Sequence, residues 1–314
     1  MSETNVRGPV LIIGSSNIDF VMEMSRLPKV GETMTDAHFI QTYGGKGANQ
    51  AVAAAKAGYN AQFVTCVGDD IFAASMLESW SDVGRDVTHV IRESGIWSGT
   101  ALVMIGEAGN NYLSVAPGAN YRLDERYFPA LRELVEHAGI VVLQCEIPKE
   151  TITAVLKFAE SFGTPVLWNF APARMRFADD ELRLARFLVA NATEAAYLSG
   201  MEEVGLHNVA SAAATIADIG IEAVIVTLGH EGVYVLSKSD GRHTGPFKVK
   251  AVDTTAAGDT FCGALAVATV EEMPLDDAVR FASAAAALSV TRLGAQPSCP
   301  TRDEIDEFLA ANRS

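Results

Sequence analysis

The 314-residue chain is short of the features that mark nucleic-acid binders, disulfide scaffolds, zinc proteins and membrane proteins. Lys and Arg number 24 against 39 Asp and Glu, a net charge of -15. Without basic patches there is little to displace counterions from a phosphate backbone, so nucleic acid is not an expected partner. The four cysteines, Cys66, Cys145, Cys262 and Cys299, stand far apart with no C-x-x-C pair. Free thiols in a reducing cytosol are expected rather than disulfides or a zinc site. The six histidines lack metal-ligand spacing, which leaves them surface or structural roles. The one apolar run near the N-terminus, Val10 to Ile13, soon meets Asp19. It is too short for a signal peptide or a span, no longer run follows, and a cytoplasmic protein is expected. Neither G-x-x-x-x-G-K-[ST] nor G-x-G-x-x-G occurs, and there is no internal repeat, low-complexity tract or interdomain linker.

What is present is an alternation of apolar runs and helical patterns, with a composition 49% hydrophobic and 20% charged. Val10–Ile13, Ala61–Cys66, Ile140–Gln144, Pro165–Trp168, Phe187–Ala190 and Ala223–Thr227 read as strands buried on both faces. Helical patterns over Ala51–Ala57, Ile71–Ser81, Lys149–Phe162, Leu275–Leu293 and Arg302–Ala311 separate or follow them. This is the signature of a doubly wound, mostly parallel α/β sheet in one domain. The alternating run His38–Tyr43 and the pair Thr100–Ile105 and Asn111–Val115 around Gly109-Asn110 read as shorter strands. Together with the irregular stretch from Val21 they predict a small sheet, a lid over the site.

In open α/β sheets ligands bind beyond the carboxyl ends of the strands. Asn17 and Asp19, Glu146, Asn191 and Glu194, and Gly229 all follow strands at that edge. Gly44-Gly45-Lys46-Gly47-Ala48-Asn49-Gln50 precedes a helical run, so its glycines let backbone approach a ligand while Lys46 and Asn49 supply hydrogen bonds. The densest stretch is Val252-Asp253-Thr254-Thr255-Ala256-Ala257-Gly258-Asp259-Thr260, which runs into the apolar segment Phe261–Ala268. A helix starting there aims unpaired N–H groups at the space beside Asp259, an anion site with a base in it. Read alone, the same stretch is equally a helix start capped by Thr254 or Thr255.

The Gly44–Gln50 and Asp253–Asp259 segments resemble the two signatures of the ribokinase family, also called phosphofructokinase-B-type carbohydrate kinases. The ending Gly294-Ala295-Gln296-Pro297-Ser298 is similar as well, and the likeness runs from about Val10 to Leu309. It implies a ribokinase-like fold over 1–314 with lid strands within about 20–43 and 97–116. It implies ATP-dependent phosphorylation of the 5-hydroxyl of D-ribose, with Mg2+ and K+ as cofactors. Asp259 then matches the catalytic base, and Ala256, Ala257 and Gly258 the anion hole. Asn17, Asp19, Gly45, Lys46, Asn49 and Glu146 match the sugar site. Asn191, Thr227, Gly229, Gly232, Gly258 and Ser283 match the nucleotide side. Asn191 and Glu194 match a magnesium element acting through water, and Asp253, Thr255, Val290, Arg292, Gly294 and Ser298 a potassium site. A homodimer through the lid is implied too. Two alternatives stand beside this reading: a kinase of the same fold for another pentose, a nucleoside or a related sugar, and a non-catalytic sugar-binding regulator.

Overall fold

The structure is a computed structural model that describes residues 8–82, 87–107 and 110–312. The first half of the chain runs β1 (Val10–Ile13), β2 (Asn17–Met24), β3 (His38–Gly44), α1 (Lys46–Lys56), β4 (Ala61–Gly68), α2 (Ile71–Asp82), β5 (Val90–Glu93), β6 (Gly99–Gly106), β7 (Asn111–Ala116), α3 (Phe128–His137), β8 (Ile140–Leu143) and α4 (Lys149–Phe162). The second half runs β9 (Val166–Asn169), α5 (Asp179–Leu182), β10 (Phe187–Asn191), α6 (Ala192–Ser199), α7 (Val209–Ala217), β11 (Ala223–Thr227), β12 (Val233–Ser237), β13 (Asp240–Thr244), α8 (Ala257–Val270), α9 (Leu275–Ser289) and α10 (Arg302–Ala311).

Nine strands form the main sheet in the order β13-β12-β11-β10-β9-β8-β1-β4-β5. Seven are parallel, and the β12–β13 hairpin adds an antiparallel edge. Side chains alternate across a strand, so Val10 and Ile12 enter one core while Leu11 and Ile13 enter the other. Helices cover both faces, which is why β1 and β8 carry four wholly buried residues each and read as unbroken apolar runs. The expected fold class is found.

A second sheet, β3-β2-β6-β7, stands apart from the first. Its pairs are β2 with β3 antiparallel, β2 with β6 parallel and β6 with β7 antiparallel. Phe39, Leu102 and Tyr112 are exposed on one of its faces, and Leu113 and Val115 on the other, which also carries Asp19. Gly109, expected in the β6–β7 turn, lies outside the described residues.

The approach of α1 to α8 positions the site. A Cβ on Gly263 would lie 2.6 Å from the Ala53 Cβ and 2.6 Å from the Gln50 carbonyl oxygen. Only glycine permits this spacing, and it places Asp259 of α8 against Asn49 and Gln50 of α1.

Two helix boundaries and one hairpin depart furthest from the sequence expectation. Helix α1 starts at Lys46, not Ala51, because Gly45 takes a φ of 88° and turns the chain directly into the first helical turn. Helix α9 ends at Ser289 rather than Leu293, where the Val290 carbonyl turns to accept the Val252 and Asp253 amides at 2.7 and 3.2 Å. The β12–β13 hairpin was not anticipated; its turn residues Lys238 and Ser239 have positive φ without the Gly or Asn that usually announces such a turn.

Candidate active site

Asp259 sits in the first turn of α8 and is buried. Its Oδ2 accepts from the Asn49 side-chain amide at 3.0 Å, and its Oδ1 from the Gln50 amide at 3.0 Å. Burial is the strongest influence and raises its pKa above the ordinary carboxylate value; Lys46, Asn49 and Gln50 oppose this, and Glu146 adds to it. A raised pKa makes the carboxylate a stronger base.

The helix start that carries it is uncapped by any side chain. The cap residue is Ala256, in the left-handed region at φ 58°, and neither Thr254 nor Thr255 takes that place. A non-glycine residue there stores about 1–2 kcal/mol of strain. Thr255 instead donates its amide and hydroxyl to Asp253 Oδ1, at 2.9 and 2.6 Å. The amides of Ala256, Gly258 and Asp259 meet no acceptor among the described residues, while that of Ala257 is directed at the Thr254 carbonyl at 3.3 Å. A Cβ on Gly258 would meet nothing within 4 Å. Open space fronted by helix N-terminal amides suits a phosphoryl group, though Ala257 contributes less to it than its neighbours.

Across from the base lie the residues at the ends of β1 and β8. Glu146 Oε2 accepts from the Ser15 hydroxyl at 2.5 Å and the Lys46 amide at 3.1 Å. Burial works to depress the Lys46 ammonium, but Asp259, Glu146 and Glu194 outweigh it and hold the group charged. Asp19 is pushed up to about 7, first by burial and then by Glu146. Asp19 Oδ1 and Asn49 Oδ1 are buried without a hydrogen-bond partner. Orphaned acceptors cost about 1–3 kcal/mol each, and a ligand rich in hydroxyl donors relieves that cost. A cavity of about 690 Å³ lined by Arg26, Pro28, Lys29, Asn110 and Tyr112 lies at the rim of the second sheet. It holds none of these groups, so the site is recognised by its convergent chemistry and not by volume.

The sequence pattern of the pfkB family of carbohydrate kinases matches residues 9–302. The chain belongs to that family. A ribokinase of Haemophilus influenzae is 38% identical over 304 residues, covering 97% of this chain and 99% of its own. A deoxyribokinase of Salmonella typhimurium is 34% identical over 303 residues, covering 96% and 99%. The solved structure of Arabidopsis thaliana ribokinase complexed with ribose and ATP is 33% identical, with a TM-score of 0.89 over 97% of this chain and 99% of that one.

On the other side of the pfkB site, Asn191 and Thr227 are register partners at the ends of β10 and β11. Gly229 and Gly232 turn the chain beyond β11 with φ 58° and 95°, and Ser283 lies on α9. Asn191 and Glu194 form a capping box on α6: Asn191 Oδ1 accepts the Glu194 amide at 2.9 Å and Glu194 Oε2 accepts the Asn191 amide at 2.8 Å. That box explains the N-x-x-E pair as helix chemistry. It also leaves Glu194 Oε1 without a protein partner among the described residues, and burial raises the carboxyl's pKa. One hard oxygen beside nucleotide phosphates fits a largely hydrated magnesium ion. Among the described residues no three His, Cys, Asp or Glu side chains cluster as a protein-only metal site.

The segments expected to hold potassium do meet. Asp253 Oδ2 accepts the Gly294 amide at 2.9 Å, which ties the loop before α8 to the one after α9. The carbonyls of Thr255, Arg292 and Gly294 accept no hydrogen bond among the described residues, and such oxygens beside a carboxylate fit a monovalent cation. Two members of the expected set are otherwise engaged. The Val290 carbonyl takes two amides, and the Ser298 hydroxyl donates to the Ala295 carbonyl at 2.7 Å.

Sequence reading missed the residues behind the site. Asn120 donates to Asn17 Oδ1 at 2.9 Å and to the Ser16 carbonyl at 3.1 Å, and accepts the Ser16 amide at 2.9 Å. Gln50, Gln144 and Asn169 lie behind Asp259. Gln50 falls within the glycine-lysine signature and Asn169 stands at a strand end, the signal that also marks Asn17 and Asn191; Gln144 and Asn120 carry no such signal.

Proposed function

We propose that this chain is a ribokinase, which transfers the γ-phosphoryl group of ATP to the 5-hydroxyl of D-ribose. The observation that carries the reading is a buried Asp259 at an uncapped helix start, facing orphaned acceptors on Asp19 and Asn49. Asp259 takes the hydroxyl proton as the oxygen attacks phosphorus. The open amides of Ala256, Gly258 and Asp259 receive the developing charge, each such donor being worth about 3 kcal/mol. Asn17, Asp19, Lys46, Asn49 and Glu146 hold the sugar's hydroxyls. The nucleotide lies toward Asn191, Thr227, Gly229, Gly232 and Ser283. Glu194 would hold a magnesium ion, which would neutralise charge on the nucleotide phosphates, and Asp253 with the carbonyls of Thr255, Arg292 and Gly294 would hold a potassium ion, which would steady the loop that bears the amides. A sugar binder without turnover needs neither the uncapped helix start nor the base.

The deciding experiment is ATP consumption against ribose, 2-deoxyribose, other pentoses and nucleosides, in potassium and in sodium. Ribose is expected to give the highest kcat/KM, with a faster rate in potassium. A preference for 2-deoxyribose or a nucleoside by more than about tenfold, or about 1.4 kcal/mol, overturns the ribose assignment and leaves the kinase intact. Failure of every sugar overturns both.

Asp19 gives sugar binding a pH dependence. Protonation removes a hydroxyl acceptor, and the carboxyl titrates near 7 in the free protein. Ribose Kd is therefore expected to level off above that pH. Below it, Kd should rise by up to about tenfold per unit. Asp19→Asn should bind more weakly and lose the slope; calorimetry with ribose alone across pH checks this, and a pH-independent wild-type Kd counts against it.

The face of the second sheet that leaves Phe39, Leu102 and Tyr112 more than half exposed supports a homodimer through the lid. Leu102→Asp places a charge in that contact. Sedimentation equilibrium should show dimer in the wild type and monomer in the variant; a monomeric wild type refutes the assignment. The absence of disulfides among four buried cysteines and the use of ATP support a cytoplasmic protein. Among the described residues no helix is long and apolar enough to cross a membrane.

A further inference from the structure

Behind the base runs a chain of buried amides that touches neither the sugar acceptors nor the helix amides. Gln50 is wholly buried in α1. Its amide donates to Asp259 Oδ1 at 3.0 Å and to Asn169 Oδ1 at 3.2 Å. Its carbonyl accepts from the Gln144 amide at 2.7 Å, and Gln144, just past β8, is also wholly buried. The polarity of this chain is fixed. Turning the Gln50 amide over would set its oxygen against a carboxylate and the Asn169 oxygen, and turning Gln144 over would set oxygen against oxygen. Room for Gln144 is made by Gly14 after β1, where a Cβ would lie 1.8 Å from Gln144 Oε1. Gln144 Oε1 itself is buried without a partner.

We propose that Gln50, backed by Gln144, is a positioning residue that fixes the orientation of the Asp259 carboxylate from the protein side, so that proton abstraction depends on an amide chain anchored in the central strands. The two donors to the base divide the work. Asn49 keeps an orphaned Oδ1 for a ligand, whereas all three polar bonds of Gln50 are to protein. Truncating Gln50 should therefore lower kcat and leave sugar affinity in place. Losing a donor to the ionised form also raises the base's pKa, which moves the acid limb of the kcat profile to higher pH. The charged and titratable groups facing Asp259 are Lys46 from α1, Glu146 after β8, Glu194 from α6 and Cys262 from α8 itself. None of these is altered by a change at Gln50 or Gln144.

This inference rests on the kinase reading but not on the identity of the sugar. It is tested with whichever sugar the wild type turns over fastest, so failure of the ribose assignment shows up separately. Gln50→Met, close in volume but without donors, is expected to lose about 10- to 100-fold in kcat, keep its sugar KM and calorimetric Kd, and show the shifted acid limb. Gln144→Met, one residue further back, should move both quantities in the same direction by less. A folded Gln50→Met with wild-type kcat overturns the proposal. So does a loss of kcat with an unmoved acid limb, which marks a merely structural role. Should Gln50→Met fail to fold, Gln144→Met carries the same test with the same readings.

Discussion

Asp259→Asn is expected to lower kcat by about 10³-fold while ribose still binds. The substitution keeps the shape of the side chain and one acceptor for the Asn49 and Gln50 amides, so the fold and the sugar pocket should persist. Sugar affinity loses at most one charge-assisted hydrogen bond, about 1.4 kcal/mol or tenfold. The wild-type rate should also climb with pH through the raised pKa of the buried carboxyl, since only the ionised form accepts the proton. The residual activity of the variant should lack that rise. Calorimetry with ribose, beside steady-state rates across pH, separates the outcomes: turnover within tenfold of wild type would remove Asp259 from the role of base.

The second large effect lies away from any reacting atom. Gly263→Ala introduces a methyl group 2.6 Å from another methyl and 2.6 Å from a backbone oxygen of α1, and 2.9 Å from the Ala54 amide nitrogen. Two of those neighbours are backbone, so the helices must separate. Overpacking of this kind costs about 1–3 kcal/mol of stability. The same movement draws Asp259 away from Asn49 and Gln50, and a displacement of about 1 Å at a reacting group can cost about 10²-fold in rate. A modest fall in melting temperature with a disproportionate fall in kcat is the expected pattern. Wild-type turnover in Gly263→Ala would mean that the α1–α8 spacing does not set the position of the base.

How far the sequence could be read follows from how locally each feature is encoded. Central strands such as Val10–Ile13 announce themselves because both faces are covered, and the polar residues at their ends follow from the architecture. Asp259 and the glycine-lysine segment are each visible within a few residues. Gln144, read only as the end of a buried strand, and Asn120, which looks like any polar residue in a loop, are not, because each acts on partners about 94 to 104 positions away. The alternative reading of a threonine-capped helix start fails for a physical reason. Thr255 has the right chemistry for a cap but is recruited by Asp253 two residues earlier, which frees the helix start for a ligand. The N-x-x-E pair shows the reverse: a capping box accounts for two residues that a family resemblance assigns to a metal, and because the box occupies one carboxylate oxygen of Glu194 it is compatible with that assignment.

The second sheet is rooted in the site at both ends of one hairpin. Asn17 and Asp19 are the first and third residues of β2, and β3 ends at Gly44, two residues before Lys46 opens α1. Gly44 packs so closely on Asp19 that a Cβ there would lie 2.1 Å from its carboxylate. Any rotation of this sheet carries Asp19 with it and leaves Asn49 behind on the main body. A sugar gripped by both, as proposed, would be a bolt across that joint, tying its own binding free energy to the angle of the sheet. Linkage then runs in both directions: whatever pins the sheet, including a second copy seated on its apolar face, must change the grip on sugar by the same factor by which sugar changes the pinning.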